Sequence, residues 1–346
     1  MSPFCGGIAE KADAVADGVS IYKTHIPSTT VSYPPTETGR RMSAQTIFVI
    51  GATGAQGGAV ARALLRNSWA VHALVRDIAS PASQTLKSQG TILFQGDWDD
   101  ILAINSAAAG CTGLFLNTYP SFEDERAELR RAQNILQAAK DAGIKHVVYS
   151  SAIGVEKHDV SRAGSEFMRQ YIISKRAIEE EVKNGEWTWT IFRGAKFMSS
   201  FTLPAISYMS PELVSEGKLV TAFLPETKLW LFDSEDIGAF AFAAFSDPGK
   251  YSEKALTLAS EALSIQDAAT LMEKVSGKKI EVIFRSEEEV KAQQAANPHI
   301  ASQVFLREMY SFFDIKYVKK LELPLTTFEQ FLEKEKETVK KTIGGS

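Results

Sequence analysis

Tyr171 and Lys175 stand four residues apart in the run YIISK, a spacing that puts both side chains on one face of a helix. The chemistry this pair allows is proton transfer. A phenol ordinarily titrates near pH 10, too high for efficient exchange at neutral pH, and an ammonium one turn away stabilises the phenolate and lowers that value. Tyr171 would then protonate a carbonyl oxygen as hydride reaches the carbon. A second set of residues points to the source of hydride. Gly51, Gly54 and Gly57 follow the apolar run 47–50 and precede Val60, Ala61, Leu64 and Leu65 at helical spacing. The first glycine lets the chain turn sharply off a strand, the second lets backbone approach a pyrophosphate, and the third lets the helix pack closely. The helix N-terminus adds free N–H groups and a partial positive charge. Arg76 lies about 20 residues past the glycines, where such a fingerprint places its ribose contact, and its guanidinium could hold a 2′-phosphate bidentately. That favours NADP over NAD, although Asp77 beside it would repel the phosphate if it faced the ribose.

The elements that must position these groups read as an alternation of strand and helix. Strands are expected at 47–50, 71–75, 92–94, 114–116, 147–149 and 188–192, with helices near 83–88, 100–108 and 123–142, the last closed by Ala142-Gly143. This order calls for an α/β fold, a doubly wound parallel sheet with helical crossovers. Further strands are expected at 219–223, 229–232, 255–258 and 281–284. Helices are expected after Asp236-Ile237-Gly238 and over 265–275, and a last one over 323–343 opened by a Thr326-x-x-Glu329 capping box. Phe197, Met198, Phe201, Phe305, Met309, Phe312 and Phe313 enrich the C-terminal part, and most are read as core.

Of the 346 residues, 45% are hydrophobic and 23% charged, enough to bury a sizeable core. A net charge of −4 and a pI of about 5.9 argue against a general nucleic-acid surface, without excluding a protein partner that binds DNA. Cys5 and Cys111 are too few and too far apart for a disulfide framework or metal site, which suits a reducing compartment. Neither His299 nor the other four histidines have metal spacing. No transmembrane span is read. Residues 1–41 read as a disordered leader. They lack the apolar core of a secretory signal, and the acids Glu10, Asp13, Asp17 and Glu37 do not suit a transit peptide. Met42 would make a natural beginning for the fold, and the expected location is cytoplasmic, or nuclear for a regulator.

The wording GATGAQGG, with Gln56 between the last glycines, resembles the NmrA-like branch of the short-chain dehydrogenase/reductase superfamily. Arg76, Lys175 and the Asp236-Ile237-Gly238 phrase carry the resemblance further, over about residues 44–335. It implies a Rossmann-type NADP(H)-binding core over 42–195 and a smaller C-terminal α+β substrate region over 196–346, some of whose segments return to the core. It assigns Gly51, Thr53, Gly54, Ala55, Gln56, Gly57, Arg76 and Lys175 to the cofactor, Lys175 through the nicotinamide ribose. Asp97, in Gly96-Asp97-Trp98, resembles the adenine contact, although loop aspartates commonly form turns. Ser151 matches the position of the superfamily's substrate-orienting Ser or Thr, and Tyr171 with Lys175 its Y-x-x-x-K pair. The segment 192–198, FRGAKFM, resembles the stretch that lies along the nicotinamide. The resemblance implies a reductase of a small, mostly apolar carbonyl or conjugated compound, with specialised metabolism as one setting. The alternative is an NADP(H)-sensing regulator of a protein partner, since many NmrA-like proteins carry another residue where Tyr171 stands.

Overall fold

The computed structural model describes residues 45–344 apart from 122–123 and 308. The expected leader, Met42 and the expected helix start at 123 lie outside the described residues. The strands are β1 (Thr46–Val49), β2 (Ala70–Val75), β3 (Ile92–Gln95), β4 (Gly113–Leu116), β5 (His146–Ala152) and β6 (Thr188–Gly194), followed by β7 (Lys196–Phe197), β8 (Lys218–Thr221), β9 (Leu229–Phe232), β10 (Lys254–Leu258), β11 (Glu261–Leu263) and β12 (Glu281–Phe284). Seven of them form one parallel sheet in the order β10-β6-β5-β4-β1-β2-β3. The chain leaves β1 toward β2 and β3, then returns to the other side of β1 for β4, β5 and β6. That reversal opens a crevice at the carboxyl ends of β1 and β4, where sheets of this kind bind ligands. The doubly wound α/β sheet expected from the sequence is present, lengthened by β10 from the C-terminal half.

Helices cover both faces of this sheet. They are α1 (Ala55–Arg66), α2 (Pro81–Ser88), α3 (Ile101–Ala108), α4 (Ala127–Asp141) and α5 (Glu166–Lys183), then, among the longer later ones, α6 (Ile237–Ser246), α7 (Ile265–Ser276), α8 (Pro298–Leu306), α9 (Phe328–Lys334) and α10 (Lys336–Thr342). Because side chains alternate along a strand, Ile47 and Val49 face the core of α1 and α6, whereas Phe48 and Ile50 face that of α3, α4 and α5. Both sets are sealed from solvent, which is why the run 47–50 is apolar without alternation. Full burial of each such side chain contributes about 1.5–3 kcal/mol relative to exposure.

A third core, with Met198, Phe201, Leu231, Met272, Phe328 and Leu332, lies in the C-terminal region. There β7 and β11 flank β9, and β8 pairs with β12. Met198, Phe201, Phe305 and Met309 are buried, whereas Phe312 is exposed. The last helix differs from its expected form. Thr326 donates to the Asp236 carboxylate from its N–H at 2.6 Å and its hydroxyl at 2.9 Å, which holds it outside the helix. The capping box therefore forms one residue later, between Thr327 and Gln330, and the helix divides into α9 and α10.

The Asp236-Ile237-Gly238 phrase also fixes how α6 meets α1. A Cβ on Gly238 would stand 2.5 Å from the Ala59 carbonyl oxygen and 3.0 Å from Ala63 Cβ. Neither is a flexible side-chain tip. Gly238→Ala is therefore expected to cost about 1–3 kcal/mol through overpacking, read as a lower urea midpoint at an unchanged slope. A midpoint equal to that of the parent protein would show that the helices have room.

Candidate functional site

The turn from β1 into α1 is built by backbone alone. Gly51 has φ +70°, a left-handed conformation that side-chain-bearing residues rarely adopt. A Cβ on Gly57 would collide with the Gly51 carbonyl and stand 2.8 Å from Ala52 N. No side chain caps the N-terminus of α1, where Gly54 is the cap residue, and Thr53, Gly54 and Ala55 are exposed. The orphan N–H groups of the first turn are thus open to an anion. Gln56 turns the other way. Its Oε1 accepts from the Ser150 hydroxyl at 2.6 Å and its amide nitrogen donates to Asn117 Oδ1 at 3.4 Å, linking the glycine turn to the ends of β5 and β4.

Arg76 is exposed at the end of β2. The neighbouring Asp77 carboxylate is turned onto its own loop, where Oδ1 accepts from Ala79 N at 2.7 Å. Asp97, after β3, forms the same kind of turn, accepting from Asp99 N at 2.8 Å.

Strand β5 runs three residues past its expected end, so Ser150 and Ser151 both lie within it and point to opposite faces. This changes the reading of Ser151. Its hydroxyl donates to Glu179 Oε1 at 2.7 Å on the α5 face. Arg193 grips the same carboxylate through Nε at 3.0 Å and Nη2 at 2.6 Å, and also meets Glu156 at 2.8 Å. Burial would raise the Glu179 carboxyl, but the hydrogen bonds and charge of Arg193 outweigh it and hold the group below its ordinary range. Ser151 therefore belongs to a buried ion-pair cluster rather than presenting a free hydroxyl to a substrate.

Tyr171 and Lys175 do lie on one side of α5, with Lys175 Nζ 5.9 Å from the Tyr171 ring centre. The expected electrostatic relation between them is reversed. Lys175 is buried and its ammonium is bound by Glu128 Oε1 at 2.7 Å and the Thr118 carbonyl at 2.8 Å. Ser174 and Thr118 hydroxyls complete the Glu128 carboxylate at 3.1 and 3.2 Å. The lysine charge is met by a carboxylate, so it no longer favours a phenolate. Burial, and then the Glu128 charge, push the Tyr171 phenol above its ordinary value. The same pairing occupies the ammonium that was expected to reach a nicotinamide ribose. The Tyr171 hydroxyl itself has no hydrogen-bond partner among the described residues, and its ring packs against the apolar cluster that includes Val155, Met168, Phe305 and Met309.

Glu128, Asn117 and Glu179 were not singled out from the sequence. Glu128 carried a usable signal, because it falls with Ala132, Ile135 and Ala139 on the buried stripe of α4, where an acid needs a partner. Glu179 repeats the four-residue spacing of Tyr171 and Lys175. Among the described residues no helix is long and apolar enough to cross a membrane, and no group of three or more His, Cys, Asp or Glu could hold a metal ion.

The sequence model of the NmrA-like family matches residues 43–332. The chain belongs to the NmrA-like family. This NmrA-like chain is 28% identical over 263 residues to the NmrA-like family domain-containing oxidoreductase malD of Malbranchea aurantiaca, covering 70% of this chain and 75% of that one. Its fold is similar to that of the triphenylmethane reductase of Citrobacter sp., solved in complex with NADP(H), with a TM-score of 0.66, 21% identity and coverage of 84% and 99%. It is also similar to NmrA, a negative transcriptional regulator solved in complex with NADP, with a TM-score of 0.67, 20% identity and coverage of 86% and 98%.

Proposed function

We propose that this NmrA-like chain is an NADPH-dependent reductase of a small, mostly apolar carbonyl or conjugated compound. The observation that carries the reading is the uncapped N-terminus of α1 beside a backbone cradle at the crevice between β1 and β4. A dinucleotide fits these residues. The pyrophosphate would be held by N–H groups of 53 and 55–57, close to backbone that a Cβ at Gly57 would fill. Arg76 would hold the 2′-phosphate and Asp97 would lie toward the adenine. With Asp77 bound to its own turn, the carboxylate that would disfavour a 2′-phosphate is occupied.

Bound there, NADPH would supply a hydride. Tyr171 would donate the proton, from a hydroxyl that no group among the described residues engages, to the oxygen of the substrate. A raised phenol remains a stronger acid than the alcohol formed by reduction of a carbonyl, so the transfer is still downhill. The Lys175–Glu128 pair, tied to Thr118 and Ser174, would position α5 rather than tune the phenol. Residues 196–346 would enclose the substrate, with Phe197 and Phe313 among the partly buried apolar groups beside the cores.

The test is NADPH consumption by the full chain across a panel of aldehydes, ketones and enones. Turnover on at least one class is expected. Tight NADPH binding without turnover on any would overturn the enzyme reading in favour of a cofactor sensor, which the closure of Lys175 onto Glu128 would suit.

A further inference from the structure

Lys196 opens β7 two residues beyond the end of β6, so its Cα lies roughly 6–7 Å past the carboxyl edge of the sheet at one strand rise per residue. Its backbone is held between two sheets. Gly194 is paired with Ala152 of β5, and Lys196 itself with Leu231 of β9. The side chain is half-buried, its Nζ 5.3 Å from the centre of the Phe201 ring, and no carboxylate or other acceptor among the described residues meets it. Other enclosed cations are met by acceptors. Lys175, Arg193 and Arg307 each have a carboxylate within 2.8 Å, and Arg176 donates to the Val155 and His158 carbonyls.

His299, in α8, lies near enough for the charge of this lysine to act on its imidazole. Burial and the Lys196 charge hold its imidazole below the ordinary value, so it is neutral at pH 7, and its ring likewise has no hydrogen-bond partner among the described residues. Burial alone pushes the Lys196 ammonium down to about 8, with no carboxylate among the described residues to restore it. The region after β6 thus carries one cation and one neutral donor and, among the described residues, no counter-charge at the lysine. An enclosed ammonium in this state is costly, and a bound anion would relieve the cost.

We propose that Lys196 and His299 recognise an anionic oxygen on the substrate, so that the compound reduced carries a carboxylate or an ionised phenol beside its reducible group. The inference rests on the reductase reading only for calling that ligand a substrate. The anion site itself stands on the lysine, the histidine and the ring of Phe201.

Calorimetric titration of the full chain without cofactor at pH 7.5 tests it, using 2-naphthoate, neutral 2-naphthamide and 4-nitrophenolate as probes. The expected result is that 2-naphthoate binds about 10–100-fold more tightly than the amide, the range of one charge-assisted contact. Lys196→Met, which keeps the stem over Phe201, is expected to abolish the preference. Lys196→Arg is expected to retain most of it, and His299→Ala to weaken it several-fold. Preference for 4-nitrophenolate over 2-naphthoate would identify the phenolate as the source, and the reverse the carboxylate. Equal binding of acid and amide, no binding of either charged probe, or a preference that survives in Lys196→Met would overturn the proposal. A preserved acid preference in a protein that consumes no NADPH would leave the anion site standing and remove the reductase reading instead.

Discussion

Replacing Glu128 by alanine is expected to lower the unfolding free energy by about 3–5 kcal/mol, because removing one partner of a buried ion pair strands the other. Lys175 would lose its carboxylate at 2.7 Å and keep only the Thr118 carbonyl at 2.8 Å. The hydroxyls of Ser174 and Thr118 would lose their acceptor as well. Lys175→Met is expected to do comparable damage from the other side. The double variant Glu128→Leu with Lys175→Met removes both charges, and is expected to recover most of the loss, since well-packed apolar replacements of a buried pair are often neutral or stabilising. The exposed pair of Lys140 and Glu186, at 2.6 Å, provides the contrast. Its loss is expected to leave the unfolding midpoint nearly unchanged, because water screens an exposed pair. Urea unfolding of the parent protein and these variants, with Glu128→Leu alone added to close the cycle, decides the matter, and losses in Glu128→Leu and Lys175→Met that simply add in the double variant would show that the two groups are not coupled.

Tyr171→Phe is expected to reduce kcat about 10²–10⁴-fold on a substrate found in the carbonyl panel, the usual worth of a positioned acid. Stability should hardly change, because the hydroxyl removed bonds to no group among the described residues. The pH dependence separates two accounts of this residue. A phenol pulled down by a lysine charge would titrate near neutrality and shape the kcat profile there. Burial and the charge of Glu128 instead push this phenol up, so it stays protonated and should add no ionisation to kcat between about pH 6 and 9. Full activity in Tyr171→Phe would remove the residue from the chemistry.

The sheet was legible because its signals are local. The apolar run 47–50, three glycines at fixed spacing and the alternation of strand and helix each follow from a few consecutive residues, and all appear in the fold. Strand ends were less legible. Ser150 and Ser151 look like the start of a loop, and only pairing of β5 with β6 as far as Ala152 and Gly194 reveals that they face opposite ways. The capping box slipped from Thr326 to Thr327 for a similar reason, since Asp236, ninety residues earlier, takes the hydroxyl of Thr326. The spacing of Tyr171 and Lys175 was readable as one helical face, but the carboxylate that meets the lysine comes from α4, and no local pattern joins residues 128 and 175. Lys196 stood in a segment already noted, yet what distinguishes it is the lack of a carboxylate or other acceptor among the described residues, which a sequence does not record.

The most direct measurement of the central claim is an equilibrium titration of NADPH and NADH against the full chain and its Arg76→Ala variant. The parent protein is expected to bind NADPH more tightly than NADH. The variant is expected to lose about 1.5–3 kcal/mol, or roughly 10–150-fold, of NADPH affinity while NADH binding stays nearly constant, since the phosphate contact exists only for the former. Absence of NADPH binding, or an equal loss for both cofactors, would contradict the placement of a 2′-phosphate at the end of β2 and with it the account of the crevice.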